Sequence, residues 1–503
     1  MANDGQGSSI LCTASIPGFD PTTRDLTLIS HHLLSSPHSI AASFHPSYRL
    51  LLERPPEAPY QSAESAEVPG GRRRKRRKLD PELALPADWA SEREKESKLS
   101  TADRETRYHH SGIEQALVSA LQAVRDEWGG RSATGWIGDV NETVHWAKKQ
   151  DAEETAEIDW VGAQNEAKQM ELGEREPLRL VEGSEDCKLL AGLLGRVVFA
   201  PRNSFKPLEV TVDSPGPEKE PVKATLVLPP SSAFLLSDFS TWSAPSSSLA
   251  STGSENGGWD LLLLDPPWPN ASANRAAAYD TFDAYDLWKL DVKAILGDKR
   301  CLIAVWLTNK VKFRRLVSEK LFPAWGVKET SAEWYWIKVS AGKDGEGGGE
   351  PMWKMDGVHR KCYEGLVLGY YNPTGDPLPP LPREKIFIST PLGHSRKPVI
   401  FGPWLHVSPP SPGKHLTFCA YADLLRPFLP NPSSRPPNVL ELFARTALAG
   451  PKHSSSFDDS KGYPERRGVW LSVGNEAVKF NVLHSVSGAK GWLKEPRIGG
   501  EIV

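Results

Sequence analysis

"LLLLDPPWPN", residues 261–270, runs four leucines into an acid, two prolines and an indole. An apolar run of this length, bounded by turn residues, reads as a strand covered on both faces. Asp265 then emerges where the sheet ends, which is the edge at which an open α/β sheet places its ligands. Pro266 and Pro267 fix φ and lack an N–H, so the carbonyls around them are rigid and uncommitted acceptors. A stiff turn with several acceptors beside the Trp268 ring suits a flat ligand carrying an amino group, such as adenine or cytosine. That amine donates two hydrogen bonds, and its lone pair is delocalised into the ring. It becomes nucleophilic only when its hydrogens are held and the nitrogen pyramidalises.

Working outward, similar short runs recur at Leu302–Leu307, Trp334–Val339, Leu366–Tyr370, Lys385–Ile388, Val439–Phe443 and Val469–Val473. Helical patterns fall between some of them. In "NKVKFRRLVSEKLF" the residues Phe313, Leu316, Val317 and Leu321 share one side, while Lys310, Lys312, Arg314 and Arg315 lie largely elsewhere. Strand, helix, strand order of this kind predicts a doubly wound α/β sheet with helices on both faces. The Gly-rich "AGKDGEGGGEP" and the proline-rich "FGPWLHVSPPSPGKH" and "GPKHSSSFDDSKGYPERRG" read as surface loops.

The preceding half divides by composition. Residues 1–68 form an N-terminal segment, 69–100 a linker, 101–194 a helical region, 195–485 the α/β domain and 486–503 a tail. The linker holds seven consecutive basic residues, Arg72 to Lys78. A run this dense on a flexible arm suits a nuclear import receptor, with a phosphate-binding arm as the other use of the same charge. In "SGIEQALVSALQAVRDEWGG", Ser111 and Glu114 read as a capping box and Gly129 as the stop. Ile113, Leu117, Leu121, Val124 and Trp128 fall on one docking face. His109 and His110, with no third ligand nearby, read as a solvated helix entry and not a metal site.

Composition narrows the function classes. A net charge of −3 over 503 residues excludes a polycation that binds nucleic acid through bulk charge, so any such site is local. Seventeen tryptophans offer stacking surface as well as core volume. Five widely spaced cysteines without metal-ligand spacing read as free thiols, and no bound metal is expected. No stretch reaches the roughly 20 apolar residues of a bilayer span, and the N-terminus lacks a signal core, so no membrane association is expected.

DPPW behind a hydrophobic strand resembles the signature of S-adenosylmethionine-dependent amino-methyltransferases. The chain is similar to the eukaryotic adenine-N6 family that includes the messenger-RNA methyltransferase catalytic subunit. "LPPSSAFLLSDFS", "NASANR", "VWLTN", "AEWYWIKV", "KCYEGLVLG", "HSRKP", "ELFAR" and "VGNEAVKF" follow in the family's order over about residues 226–480. The resemblance implies a Rossmann-like methyltransferase sheet. It also implies that Asp265 and the Pro266 carbonyl hold the adenine amine, with Pro267 and Trp268 packing on the base. Implied cofactor contacts are Asp238, Phe239, Asp265, Lys397, Arg445, Asn475 and Glu476. Substrate contacts fall to Asn270, Ser272, Arg275, Arg360 and Lys361, with the helix cations Lys310 to Arg315 read as a solvated face first. Thr446, Arg396 and Ala447 depart from residues found in relatives, beside the cofactor half of the site. The implied reaction is N6 methylation of adenosine or 2′-O-methyladenosine in a small nuclear RNA, in the nucleus and also the cytoplasm. DNA adenine methylation and a non-catalytic RNA-binding scaffold are the alternatives.

Overall fold

The chain's computed structural model describes residues 101–128, 175–181, 190–201, 208–215, 221–228, 232–237, 246–269, 283–328, 332–339, 350–353, 361–389, 437–444 and 468–475, with shorter pieces at 24–28, 52–53, 146–147, 355, 425, 428–430, 477–478 and 482–483. The basic run Arg72–Lys78 and the proline-rich loops lie outside them, as does most of the Gly-rich segment.

Leu261–Leu264 is a strand buried along its whole length, set inside an eleven-stranded sheet. Numbered in chain order, the strands are β1 (Arg24–Leu28), β2 (Leu178–Arg179), β3 (Val197–Phe199), β4 (Leu208–Pro215), β5 (Pro221–Leu228), β6 (Ser232–Leu236) and β7 (Leu261–Leu264). They continue as β8 (Cys301–Leu307), β9 (Ala332–Lys338), β10 (Tyr363–Tyr371), β11 (Glu384–Ser389), β12 (Val439–Leu442), β13 (Trp470–Gly474) and β14 (Val482–Leu483). Each of the apolar runs singled out in the sequence is a strand. The main sheet runs β1-β11-β9-β10-β8-β7-β12-β13-β6-β3-β2.

At its centre β8, β7, β12, β13 and β6 are mutually parallel neighbours. From β7 the chain moves to β8 on one side, and from β12 it moves to β13 on the other. The connections therefore diverge between β7 and β12, and a crevice opens there at the carboxyl ends of the strands. β10 runs antiparallel between β8 and β9. β4, β5 and β14 form a separate antiparallel sheet.

Alternate strand residues face opposite ways. One face gathers Leu262, Leu264, Ile303, Val305, Leu440 and Leu442. Onto it pack α3 (Ser246–Glu255), α4 (Val292–Leu296) and α5 (Val311–Arg315), the last running on through a π turn at Leu316–Leu321. Phe313, Leu316, Val317 and Leu321 of this helix are all buried, as their spacing requires. The opposite face buries Phe234 and Leu236 against β4, β5 and the short α2 (Leu190–Leu193).

The N-terminal helix α1 spans Thr101–Trp128, so it begins ten residues before the expected capping box. Ser111 is mid-helix, and its hydroxyl donates to the Tyr108 carbonyl instead of capping an N-terminus. The polar stretch from Thr101 to His110 carries no apolar periodicity, which hid it from a reading based on amphipathicity. Ala116, Leu117, Ala120 and Leu121 dock α1 on Tyr335, Ile337, Tyr363 and Ile386. The side chains of Val124 and Trp128 lie outside the described set. β1 and β2 join the edges of the main sheet, so the N-terminal region contributes strands as well as a helix. Cys301 and Cys362 are free thiols.

Candidate active site

The strands around the crevice are held in register from their far ends. Fully buried Asn438 donates through its amide to the carbonyls of Asn256 and Gly258, each at 2.7 Å, and accepts from the Val469 N–H at 3.0 Å. Its own N–H donates to the Asp260 carboxylate at 2.8 Å. Starts of β7, β12 and β13 are thereby pinned together, which fixes where their carboxyl ends emerge.

At those ends the backbone is tightly specified. The Asp265 N–H donates to the Leu442 carbonyl at 3.2 Å, tying the acid to the end of β12 across the crevice. Asp265 is half-buried and Pro266 buried. The Pro266 carbonyl accepts from the Trp268 N–H at 2.8 Å. That corrects the expectation of uncommitted turn carbonyls: one lone pair closes the turn, and one is left for a ligand.

Trp268 is 6% exposed. Its indole N–H donates to the Trp306 carbonyl at 2.8 Å, and its ring lies 4.8 Å from that of Phe313. Little ring surface remains to meet a base. Trp268 anchors the corner from within, joining the turn after β7 to the end of β8 and to α5. Pro267, half-buried, is the more exposed apolar residue of the turn.

The other wall is formed by β12 and β13. Phe443 has φ 63°, a left-handed conformation that costs energy for an aromatic residue and clusters at functional sites. A Cβ on Gly474 would approach the Ala444 carbonyl oxygen at 3.0 Å, so a side chain there would push the two strand ends apart. Asn475 follows at the surface. Inside β12, buried Glu441 accepts from the Trp470 indole at 3.2 Å and the Ser472 hydroxyl at 3.0 Å. The sequence reading missed this network, although a lone carboxylate in "VLEL" was its visible signal.

Of the expected site residues, Asp265, Pro266, Pro267 and Trp268 form the corner, and Asn475 lies on the facing strand end. Asp238, Phe239, Asn270, Ser272, Arg275, Arg360, Lys397, Arg445 and Glu476 lie outside the described residues, as do the departures at Arg396, Thr446 and Ala447. Lys361 is not an open phosphate contact. Its side chain is 9% exposed, paired with Glu114 of α1 and donating to the Met355 carbonyl at 3.4 Å.

His110 is likewise not a solvated helix entry. At 4% exposure, its Nε2 lies 2.9 Å from the Asn309 carbonyl and its Nδ1 2.6 Å from the Tyr363 hydroxyl. The neutral ring, donating from Nε2 and accepting at Nδ1, satisfies both. Burial pushes its pKa down. Burial, helped by Arg314, His110 and Arg315, lowers that of His109 to about 4.

An open α/β sheet whose crevice is closed by an acidic, proline-stiffened turn defines a doubly wound ligand-binding domain. Comparison with known proteins is more specific: residues 259–410 match the MT-A70 family model. Mouse "N(6)-adenine-specific methyltransferase METTL4" is 31% identical over 264 residues, covering 50% of this chain and 43% of that protein. "N6-methyladenosine RNA methyltransferase MTA1" of Pyricularia oryzae is 31% identical over 204 residues, covering 38% and 45%. "DNA N6-methyl methyltransferase" of Caenorhabditis elegans is 32% identical over 142 residues, covering 28% and 36%. The chain thus spans less than half the length of each of these relatives.

Proposed function

We propose that the chain is an S-adenosylmethionine-dependent adenine-N6 methyltransferase acting on RNA. The observation that carries this is the Asp265 corner: an acid fixed at the switch point of a parallel sheet, beside a proline carbonyl with one lone pair left to accept. The cofactor would lie over the ends of β12 and β13. The close backbone approach at Gly474 and the amide of Asn475, which suits ribose hydroxyls, fit it. When bound, it supplies an electrophilic methyl group.

This chain's part is alignment. Asp265 and the Pro266 carbonyl accept the two amine hydrogens and favour the pyramidal nitrogen, and buried Trp268 keeps the turn from shifting. After transfer the nitrogen carries one proton too many, which goes to Asp265 or to water. A base reaches such a corner only when unstacked, which favours single-stranded or bulged RNA. Within that class we favour adenosine or 2′-O-methyladenosine of a small nuclear RNA. The relative described as a DNA methyltransferase supports DNA adenine as the second reading. Arg72–Lys78 would direct nuclear import.

The test incubates the full chain with labelled cofactor and matched single-stranded RNA and DNA, then separates nucleosides by mass spectrometry. Label in N6-methyladenosine from RNA is expected. Label confined to deoxyadenosine would move the reading to DNA, and cofactor binding without transfer to either would favour a scaffold.

A further inference from the structure

The cations of α5 begin beside the corner. Lys310 Nζ donates to the Pro269 carbonyl at 3.4 Å, directly after DPPW. Lys312 Nζ lies 4.7 Å from the centroid of the Phe313 ring, and that ring packs on Trp268. One turn on, Arg315 is exposed, with Glu319 4.0 Å away. Among the described residues, Glu319 faces Arg315, Glu333 pairs with Arg314, and Glu114 pairs with Lys361. α1 lies alongside through the contact of His110 with Asn309. Burial is the main cause of the depressed pKa of His109 on α1, with Arg314 and Arg315 adding to it, and its neighbour Tyr108 stands 85% exposed.

We infer that Lys312 and Arg315 form a track for the phosphate backbone of the RNA strand whose adenine enters the corner, with Tyr108 as a stacking surface beside it. This rests on the RNA-methyltransferase reading and adds the route by which the strand arrives. A track of this kind is local, which a chain with a net charge of −3 requires of any nucleic-acid contact.

The test measures binding of a short single-stranded RNA to the full chain across a salt series, with cofactor binding followed separately by calorimetry. Removing one cation from a phosphate should flatten the slope of log K against log salt by about 0.7, so Lys312→Gln/Arg315→Gln should lower it by roughly 1.4. Cofactor affinity and melting temperature should be unchanged. The control is Lys289→Gln/Lys299→Gln, which removes the same charge from side chains paired with Asp286 and Asp298. A slope that stays as in the wild type, or falls equally in the control, overturns the track. Failure of the wild-type chain to bind RNA while it binds cofactor would instead overturn the reading beneath it.

Discussion

Trp268→Ala separates two roles for the corner's indole. The ring is 6% exposed, packs on Phe313 and donates to the Trp306 carbonyl. Deleting a buried ring of this size costs about 3–5 kcal/mol. For a domain the size of the main sheet and its helices, that is a fall in melting temperature of roughly 10 °C. Trp268→Phe keeps most of the volume and loses the N–H donor and part of the ring, about 1–2 kcal/mol. A ring that stacked on the base from the surface would behave differently, losing roughly 1–3 kcal/mol of RNA binding with stability almost unchanged. Thermal unfolding by circular dichroism, beside an RNA titration, distinguishes the two. An alanine variant that melts within about 2 °C of wild type yet binds RNA poorly would refute the internal anchor.

Other consequences follow from the same geometry. Asn438→Ala strands two carbonyls and an N–H where β7, β12 and β13 start, and should cost about 3 kcal/mol by urea unfolding. Asn372→Ala, which loses only exposed bonds, to the Asp376 carbonyl and from the Gly375 N–H and the Thr374 hydroxyl, should cost about 1 kcal/mol or less, and equal losses would contradict the pin. Protonation gives a third outcome. The folded pKa of His109 lies near 4, below the unfolded value of 6.5, so the unfolded chain binds more protons between them. Its contribution to stability is therefore full above 6.5 and falls as pH drops towards 4. Unfolding measured across that window should show a shallower decline for His109→Gln than for wild type, and parallel curves would refute the assignment.

The α/β class was legible because the strands at the centre are apolar on both faces, as in "LLLL" and "CLIAVWL", and no helix period competes with them. DPPW was legible for a local reason: prolines and an acid after a strand constrain one another within four residues. The roles of Trp268, Lys361 and His110 were not, since each is set by a partner far along the chain. Trp306 is 38 residues from Trp268, Glu114 is 247 from Lys361, and Tyr363 is 253 from His110. The β4–β5 hairpin escaped notice as well. "LEVTVDSP" and "PVKATLVL" alternate polar and apolar residues, a weaker signal than the continuous runs that drew attention to the main sheet.

The central claim is that Asp265 acts as acceptor for the base amine, and Asp265→Ala tests it most directly, because alanine removes the acceptor, whereas the amide oxygen of asparagine could still accept. Single-turnover methyl transfer from labelled S-adenosylmethionine to RNA should fall about 100-fold or more, with cofactor affinity staying within a few-fold of wild type. Transfer by the alanine variant at close to the wild-type rate would contradict it.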